Sequence, residues 1–561
     1  MKKKLYIATT IFVTMTACTN DLDVEPLDPT VSTANRVYAD AANYQKALDK
    51  IYSVWALSGQ DGAGGSDISD LDAGNTVLFR SWFTLQEQTT DEMKNSWSDP
   101  WCLDVNGILW STTKCEPIEG VYQRCMFIVA LANEYLKNIP NAPKEVDKSR
   151  FAAEARFCRA LAYYTLLDLF GIPPFITEEN YSMNPSPLSR EELFAWIENE
   201  LLSIQSALPV ARHGGYGRAD QAVVDALLAR MYLNAAVYTG TERYTDCVAA
   251  CNRVISAGYS LADNYAELFM ADNGQNARAN REIIYPVIFD GNTTQSYGMA
   301  AVILGSRSSS DFADVPAGIG GGWDGFRGTP QLVRMFDYQD NANPKANEIL
   351  DKRGIFYDKN RSIDITTSVT GTFTTEGWSV YKYTNIRSDG QPGSNTTFPD
   401  TDFPMFRLAD IYLMYAEACA AVQGANYKSG SYGKTAVEAI NILRERVGAA
   451  PVADKFTADS KKFMDEVRRE RACELAFEGF RWNDLQRWLL LTEYPYNIKT
   501  SQEFRRVGDF DFAKNDPRDA EVTGWREEII VERVFSTQHY LFPFHNDDVY
   551  LYAEFGQNPG W

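Results

Sequence analysis

The chain has 561 residues, of which 75 are acidic and 54 are basic, and its formal net charge is −21. Such an acidic chain is a poor electrostatic match for nucleic acid or for an anionic lipid surface, which argues against both as partners. Aromatic residues make up 13% of the sequence, including 30 tyrosines and 12 tryptophans, enough to fill a large core and to leave a few rings for a binding surface.

The first residues have the pattern of a bacterial export signal. A lysine-rich start precedes an apolar stretch at 5–13 that is too short to span a membrane, and small residues lead to Cys18. The pattern resembles a lipobox, in which the cysteine becomes the acylated N-terminus; ordinary cleavage with an incidental cysteine is the alternative. We therefore predict a signal peptide at 1–17, lipidation of Cys18, which anchors the chain to the membrane, and a polar, proline-bearing tether at 18–35.

From about Asn43 onward the sequence predicts long helices. The segment 151–171 has small alanines that allow close helix approach and a glycine at its end. Two helix pairs of tetratricopeptide proportions follow, at 218–259 and at 406–448, and the second contains a capping box at Thr435 and Glu438. Three irregular pieces are too few for a free solenoid, so we expect other segments to pack against them.

Two irregular tracts interrupt the helices, at 59–112 and at 290–400, and loops of this size in a compact domain are usually functional. Each contains tryptophan among acidic, amide or arginine side chains. That composition suits a sugar site, because an aromatic ring stacks on the apolar face of a pyranose while planar polar groups take the hydroxyls at its edge. For each tryptophan the alternative is a core residue that anchors its loop. The candidate ligand-binding residues, with the glycine-flanked Trp323 first and Trp97 second, are Trp323, Trp97, Trp101, Asn95, Asp99, Asp324 and Arg327.

A charged stretch at 466–488 organises the C-terminal part of the sequence. Its first half predicts a helix at 467–478 that Gly479 ends, and a second amphipathic segment follows. Acidic and basic residues alternate three or four positions apart among apolar ones, which predicts a half-buried structural ion-pair lattice. Glu474 and Glu478 could instead be a glycosidase pair, but neighbouring arginines lower a carboxylate pKa that an acid catalyst needs raised. The lattice residues are Arg468, Arg471, Glu474, Glu478 and Arg481.

Several templates for catalysis and metal binding fail. The residues Gly433, Lys434 and Thr435 imitate the end of a phosphate-binding loop, but the required upstream glycine falls on Lys428. No GxSxG or HExxH motif occurs, and the three histidines make no metal-ligand spacing. We therefore predict no enzyme, no cofactor and no metal. Two cysteines, Cys102 and Cys115, fall in one loop-like region and are candidates for a disulfide in an oxidising compartment.

The stretch RRERACELAFEGFRWNDLQRW resembles the signature of the SusD/RagB family of nutrient-binding outer-membrane lipoproteins. RALAYYTLLDLFGIPP at 159–174 and the closing LFPFHNDDVYLYAEFGQNPGW resemble the same family, and Asp91-Glu92 with the tryptophan after it resembles its N-terminal ligand-binding loop. The resemblance implies an all-α dominated fold, a tetratricopeptide-like helical-repeat scaffold (SusD-like) with long irregular loops and minor β. It also implies a helical-repeat region at 36–290 and a C-terminal region at 291–561 packed on it.

The same resemblance implies a function. We expect an outer-membrane lipoprotein, anchored by its N-terminal lipid and exposed at the cell surface, that captures an oligo- or polysaccharide. It would deliver this glycan to a TonB-dependent, SusC-like transporter. The alternatives are a peptide-capturing member of the same family, in the manner of RagB, an enzyme that acts on the same polymer, and a purely structural helical scaffold.

Overall fold

The computed structural model describes residues 37–180, 185–339, 344–365, 367, 374–490, 535–551 and 556–561. The predicted signal peptide and tether, with the lipidation site Cys18, lie outside these residues. Within the described parts of the chain, no helix combines the length and the apolar character needed to cross a membrane.

Helices dominate the described structure. In chain order they are α1 (Ala41–Ser53), α2 (Leu78–Glu87), α3 (Pro100–Gly107), α4 (Glu116–Asn138), α5 (Lys148–Leu169), α6 (Arg190–Ile204), α7 (Gln221–Leu233), α8 (Ala235–Thr239), α9 (Tyr244–Ile255), α10 (Ala277–Asn280), α11 (Tyr297–Gly305), α12 (Pro330–Arg334), α13 (Leu408–Gln423), α14 (Ala436–Val447), α15 (Asp454–Thr457), α16 (Ser460–Leu475), α17 (Arg481–Leu490) and α18 (Asn546–Leu551).

Local sequence specifies where many of these helices begin and end. The Asp220 carboxylate caps α7 by accepting two backbone N–H groups of its first turn, at 2.9 and 3.0 Å. Thr435 and Glu438 cap α14 reciprocally, which confirms the predicted capping box. Gly448 follows α14 in the left-handed conformation, with a φ of 74°.

The long helices pack in sequence-adjacent groups. Helix α5 lies between α4 and α6, and α9 lies between α7 and α13, which in turn contacts α14 and α16. Their buried apolar side chains form one continuous core that runs from Tyr44 to Phe544 and includes residues from both halves of the sequence. The structure thus confirms the predicted helical scaffold with minor β.

Three short antiparallel pairs of strands connect parts of the chain that are distant in sequence. They are β1 (Met93–Asn95) with β3 (Phe326–Gly328), β2 (Ile283–Val287) with β6 (Phe403–Arg407), and β4 (Phe356–Tyr357) with β5 (Ser379–Val380). The first pair matters most for function, because it joins the two tryptophan-bearing loop clusters.

Helix α16 ends at Leu475, three residues before the predicted end. The chain turns because Phe477 and Gly479 adopt the left-handed conformation, with φ of 58° and 77°. Buried carboxylates compensate the lost helical hydrogen bonds, since Glu92 accepts the N–H of Phe477 and Glu87 accepts that of Gly479. A Cβ at position 479 would overlap the Trp82 ring of α2, so the close contact between this turn and α2 requires glycine.

The two central glutamates of the 466–488 stretch are fully buried rather than half-buried. Glu474 and Glu478 are each 0% exposed. Arg407 donates to Glu474 at 2.6 Å and to Glu478 at 2.6 and 2.7 Å, while Arg353, at 3.0 Å, and Arg446 also donate to Glu474. These arginines lie outside the stretch, so the network joins it to other elements instead of pairing charges along one helix.

Of the remaining lattice arginines, two also join separate elements and one pairs within its own helix. Arg481 forms a two-pronged pair with Asp91, at 2.8 Å for each bond, and so joins α17 to the chain just before β1. Arg471 does the same with Asp484, at 2.7 and 2.9 Å. Arg468 bonds Asp465 at 2.9 Å within its own helix.

The cysteines at 102 and 115 are buried and free, as are the six other cysteines in the described residues, so the candidate disulfide is absent there.

Candidate functional site

The two predicted loop clusters lie side by side. The β1–β3 pairing sets Met93 opposite Gly328, Lys94 opposite Arg327 and Asn95 opposite Phe326. Just beyond the paired residues, the Ser96 N–H donates to the Gly325 carbonyl at 2.9 Å. The two tryptophans that were predicted from separate stretches therefore belong to one surface.

Trp97 is fixed directly to the loop of Trp323. Its indole Nε1 donates to the Trp323 carbonyl at 3.0 Å, and the ring centroids are 6.0 Å apart. The indole lies against Gly325, where a Cβ would overlap it. Gly325 thus has a steric role, because any larger residue would displace the ring.

A third ring continues this row. Tyr297, the first residue of α11, has its ring centroid 6.0 Å from that of Trp323. Trp97, Trp323 and Tyr297 are all partly exposed, and we call them the aromatic arc. The ring planes turn by 59° from Trp97 to Trp323 and by 49° from Trp323 to Tyr297, so the arc is not a flat platform.

A guanidinium group lies beside the arc. Arg80 of α2 has its guanidinium carbon 6.0 Å from the ring centroids of both Trp97 and Trp323. Among the described residues, this guanidinium makes no hydrogen bond and no ion pair, although the charges of nearby acids act on it. Burial lowers the pKa of Arg80, and the charges of Asp72 and Asp99 oppose that effect. Both acids are exposed, so the cation beside the arc lies in the field of surface carboxylates.

The other predicted site residues differ in how far they reach the surface. Trp101 is 8% exposed and meets Trp97 edge to face at 6.3 Å, so it supports the arc from behind. Asp99 is exposed, and Asp324 is partly exposed with a left-handed φ of 52°.

Asn95 and Arg327 are 0% exposed, which does not agree with the expectation that they offer hydrogen bonds to a ligand. The Asn95 Oδ1 accepts the Trp97 N–H at 3.1 Å, and Arg327 donates to the Asp324 carboxylate at 2.6 Å. Their side chains therefore hold the loops in place. Their polar character alone carried no information about which of them reach the surface.

Two members of the site, Arg80 and Tyr297, were missed by sequence reasoning. Arg80 lies in an apolar helical segment with no local sign of function. Tyr297 follows Ser296, whose Oγ accepts the Gly298 N–H at 3.3 Å and caps α11. A tyrosine next to a helix-capping serine, inside a tract already marked as functional, was the available signal.

The carboxylate pair Glu474 and Glu478 does not have the environment of a glycosidase acid. Burial alone would raise the pKa of Glu474, but the charges of Arg446, Arg407 and Arg353 outweigh it and hold that pKa well below its usual range. Over the described ranges, no group of three or more His, Cys, Asp or Glu side chains is arranged to hold a metal ion.

A helical scaffold that holds a row of partly exposed rings beside a guanidinium group is typical of a ligand-binding protein. Comparison with known proteins identifies the family to which this ligand-binding protein belongs. Residues 364–561 match the model described as the SusD family, and residues 66–233 match the model described as starch-binding and associating with the outer membrane.

Individual relatives agree. The starch-binding protein SusD of Bacteroides thetaiotaomicron is 32% identical over 538 residues, covering 88% of this chain and 92% of that protein. A SusD-like protein of Bacteroides ovatus is 24% identical, covering 74% of this chain and 75% of that protein. The crystal structure of a SusD-like carbohydrate-binding protein from Bacteroides fragilis has a TM-score of 0.69 at 18% identity, covering 92% of this chain and 99% of that one. The chain belongs to the SusD family.

Proposed function

We propose that this protein captures a glycan on the aromatic arc. The observation that carries the proposal is the unbroken row of Trp97, Trp323 and Tyr297 beside Arg80. The indole and phenol faces stack on the apolar faces of successive sugars, and the Arg80 guanidinium, which makes no hydrogen bond among the described residues, donates to hydroxyls at the sugar edge. Binding of this kind needs no metal and no covalent step.

We further propose that the preferred glycan is a curved glucan chain. Because the ring planes turn by 59° and 49° along the arc, a flat, ribbon-like polymer can lie against one ring but not against all three. A chain that curves from one sugar to the next presents successive apolar faces at successive angles. The starch-binding function in the name of the B. thetaiotaomicron relative supports the same choice.

The test is isothermal titration with a curved α-glucan and a flat β-glucan of matched length. We expect Trp323→Ala to weaken α-glucan binding by at least roughly tenfold, since stacking and its buried area amount to about 1.5–3 kcal/mol. Trp196→Ala is the matched control, because this partly exposed indole packs on Tyr163 and Phe175 instead of the arc. Unchanged affinity in Trp323→Ala would refute the site, and tighter binding of the flat polymer would refute the ligand class.

The same protein samples test the two alternative functions, peptide capture and polymer cleavage. Titration with mixed peptides is expected to give no saturable heat, and saturable binding that competes at the arc would favour the peptide alternative. Incubation with the polysaccharides is expected to release no new reducing ends. Their release would show that the protein is an enzyme.

We also propose that lipidation of Cys18 anchors the protein at the cell surface and that it passes its glycan to a TonB-dependent, SusC-like barrel. The family's outer-membrane association supports the first part, and family membership supports the second. Cys18→Ser is expected to move the protein from the membrane fraction to the soluble fraction. Protease added to intact cells is expected to digest the wild-type protein, and co-purification from detergent is expected to recover the barrel. If the protein on intact cells resists protease, the proposed surface exposure is wrong. If the protein is recovered without a barrel, the proposed transporter partner is wrong.

A further inference from the structure

A fourth ring stands at the end of the arc. The centroid of Phe398 lies 5.5 Å from that of Tyr297, with a further turn of 57° between the ring planes. Phe398 is partly exposed. The spacing and the turn match those between the other rings, so Phe398 continues the geometry of the arc by one step.

The backbone that carries Phe398 is fixed by its own polar side chains. The Asn395 Oδ1 accepts the N–H of Thr397 at 2.7 Å and that of Phe398 at 3.1 Å. Asn385 in turn donates from Nδ2 to the Asn395 carbonyl at 3.0 Å and accepts the Asp400 N–H at 2.9 Å. Phe398 therefore sits on a preformed turn, and a ligand that stacks on it does not have to order the loop.

Hydrogen bonds join the turn that carries Phe398 to the two chain segments that precede Trp323 and Tyr297. The Gly320 N–H, three residues before Trp323, donates to the Thr396 carbonyl at 2.9 Å. The Gly291 N–H, six residues before Tyr297, donates to the Asp400 carboxylate at 2.8 Å. A Cβ at Gly291 would lie 2.5 Å from the Phe398 carbonyl oxygen, so this approach requires glycine.

Two exposed hydroxyl side chains, Thr396 and Thr397, immediately precede Phe398 in the chain. A partly exposed ring and neighbouring hydroxyl residues together offer the two kinds of group that bind a pyranose unit, an apolar face for stacking and donors and acceptors for its hydroxyls.

We propose that Phe398 is a distal stacking subsite that extends the arc by one sugar unit and makes binding depend on the length of the glycan. This inference rests on the proposed function of the arc. Short oligosaccharides are held by Trp97, Trp323 and Tyr297 alone. Longer ones also reach Phe398, whose position is set before the ligand arrives.

The experiment titrates an α-glucan series of increasing length against wild type, Phe398→Leu and Phe398→Trp. Leucine keeps the apolar packing but removes the stacking face, whereas tryptophan keeps that face. We expect Phe398→Leu to bind the shortest ligands as wild type does and to bind the longest roughly three- to tenfold more weakly. Phe398→Trp is expected to retain the dependence on length, and the melting temperature of each variant shows whether it is folded.

Equal weakening of short and long ligands by Phe398→Leu would show that the ring only supports the arc. No weakening at any length would show that the ligand does not reach it. Trp323→Ala, run in the same series, separates the two proposals: it weakens every length if the arc is the site. If Trp323→Ala binds as wild type does, the proposed function fails. If it binds weakly while Phe398→Leu is unchanged, only the distal subsite fails.

Discussion

Arg407→Met tests whether the buried ion pairs hold the scaffold together. Arg407 is 0% exposed and makes bonds of 2.6–2.9 Å to three carboxylates, those of Glu474, Glu478 and Glu282. Methionine keeps most of the volume and removes the charge. Within the described structure Glu478 then retains only the bond from Lys382, at 2.5 Å.

Removing one partner from a buried ion pair costs about 3–5 kcal/mol, because a charge is left in a low dielectric without compensation. Domains are typically stable by about 5–15 kcal/mol, so this loss is a large fraction of the total. We expect urea unfolding, followed by tryptophan fluorescence, to give a loss in that range for Arg407→Met. The double variant with Glu478→Gln is expected to lose roughly 0.5–3 kcal/mol less than the sum of the single losses.

Arg243→Met is the matched control. Arg243 is about one-third exposed and pairs with Glu198 at 2.9 Å, so its loss is expected to cost about 1 kcal/mol or less. If Arg407→Met stays within that same limit, or if the double variant is strictly additive, the ion-pair network does not stabilise the fold as argued.

Three further substitutions test single contacts. Gly325→Ala is expected to weaken glycan binding and to lower the melting temperature slightly, because the new methyl group overlaps both the Trp97 indole and the buried Asn95 side chain. Gly479→Ala is expected to lower the free energy of unfolding by about 2–5 kcal/mol, since a Cβ both overlaps Trp82 and meets a φ of 77°. Burial raises the pKa of Asp402 to about 7, so the folded state holds this proton longer than the unfolded state and wild-type stability falls as pH rises from about 4 to about 7. Asp402→Asn removes that fall, and relative to wild type its unfolding free energy is expected to rise by up to ~4 kcal/mol over this interval.

These variants have internal controls. Gly64→Ala, at a glycine with open space around its Cβ position, is expected to change neither binding nor stability. Weakened binding there would show that Gly325→Ala acts without a specific clash. For Asp402→Asn, an unfolding free energy that keeps a constant offset from wild type between acidic and neutral pH would show that this carboxyl titrates as it does in the unfolded chain.

Local patterns in the sequence predicted the helices well and the partners of the charges poorly. The capping box at Thr435 and the scaffold around it follow from short-range chemistry. Glu474, by contrast, pairs with arginines 28 to 121 residues away. The i to i+4 rule predicts pairs on an exposed helix surface, but this face of α16 is buried, so its charges are satisfied across elements. The sequence shows how many arginines the chain has, but not which of them pair with Glu474 in the folded protein.

The candidate site, like the fold, was predicted from the sequence only in part. The glycines around Trp323 indicated a ring that little would cover, and the structure leaves this ring partly exposed. Burial separated the polar candidates. Asn95 and Arg327 lie in the β1–β3 pair and are buried there, so their side chains support the loops instead of reaching the surface. That pairing could not be read in advance, since three residues per strand are too few to show an alternating pattern.

The pairing between β1 and β3 determines when, during folding, Trp97 and Trp323 come together. Trp97 and Trp323 are separated by 226 residues, and closing so long a loop is a late and costly event in assembling a chain. During synthesis, the first indole emerges long before its neighbour exists. If the proposed site is the binding site, the chain can bind a glycan only when both tryptophans are in place. Neither half expressed alone is then expected to be retained on a glycan affinity column.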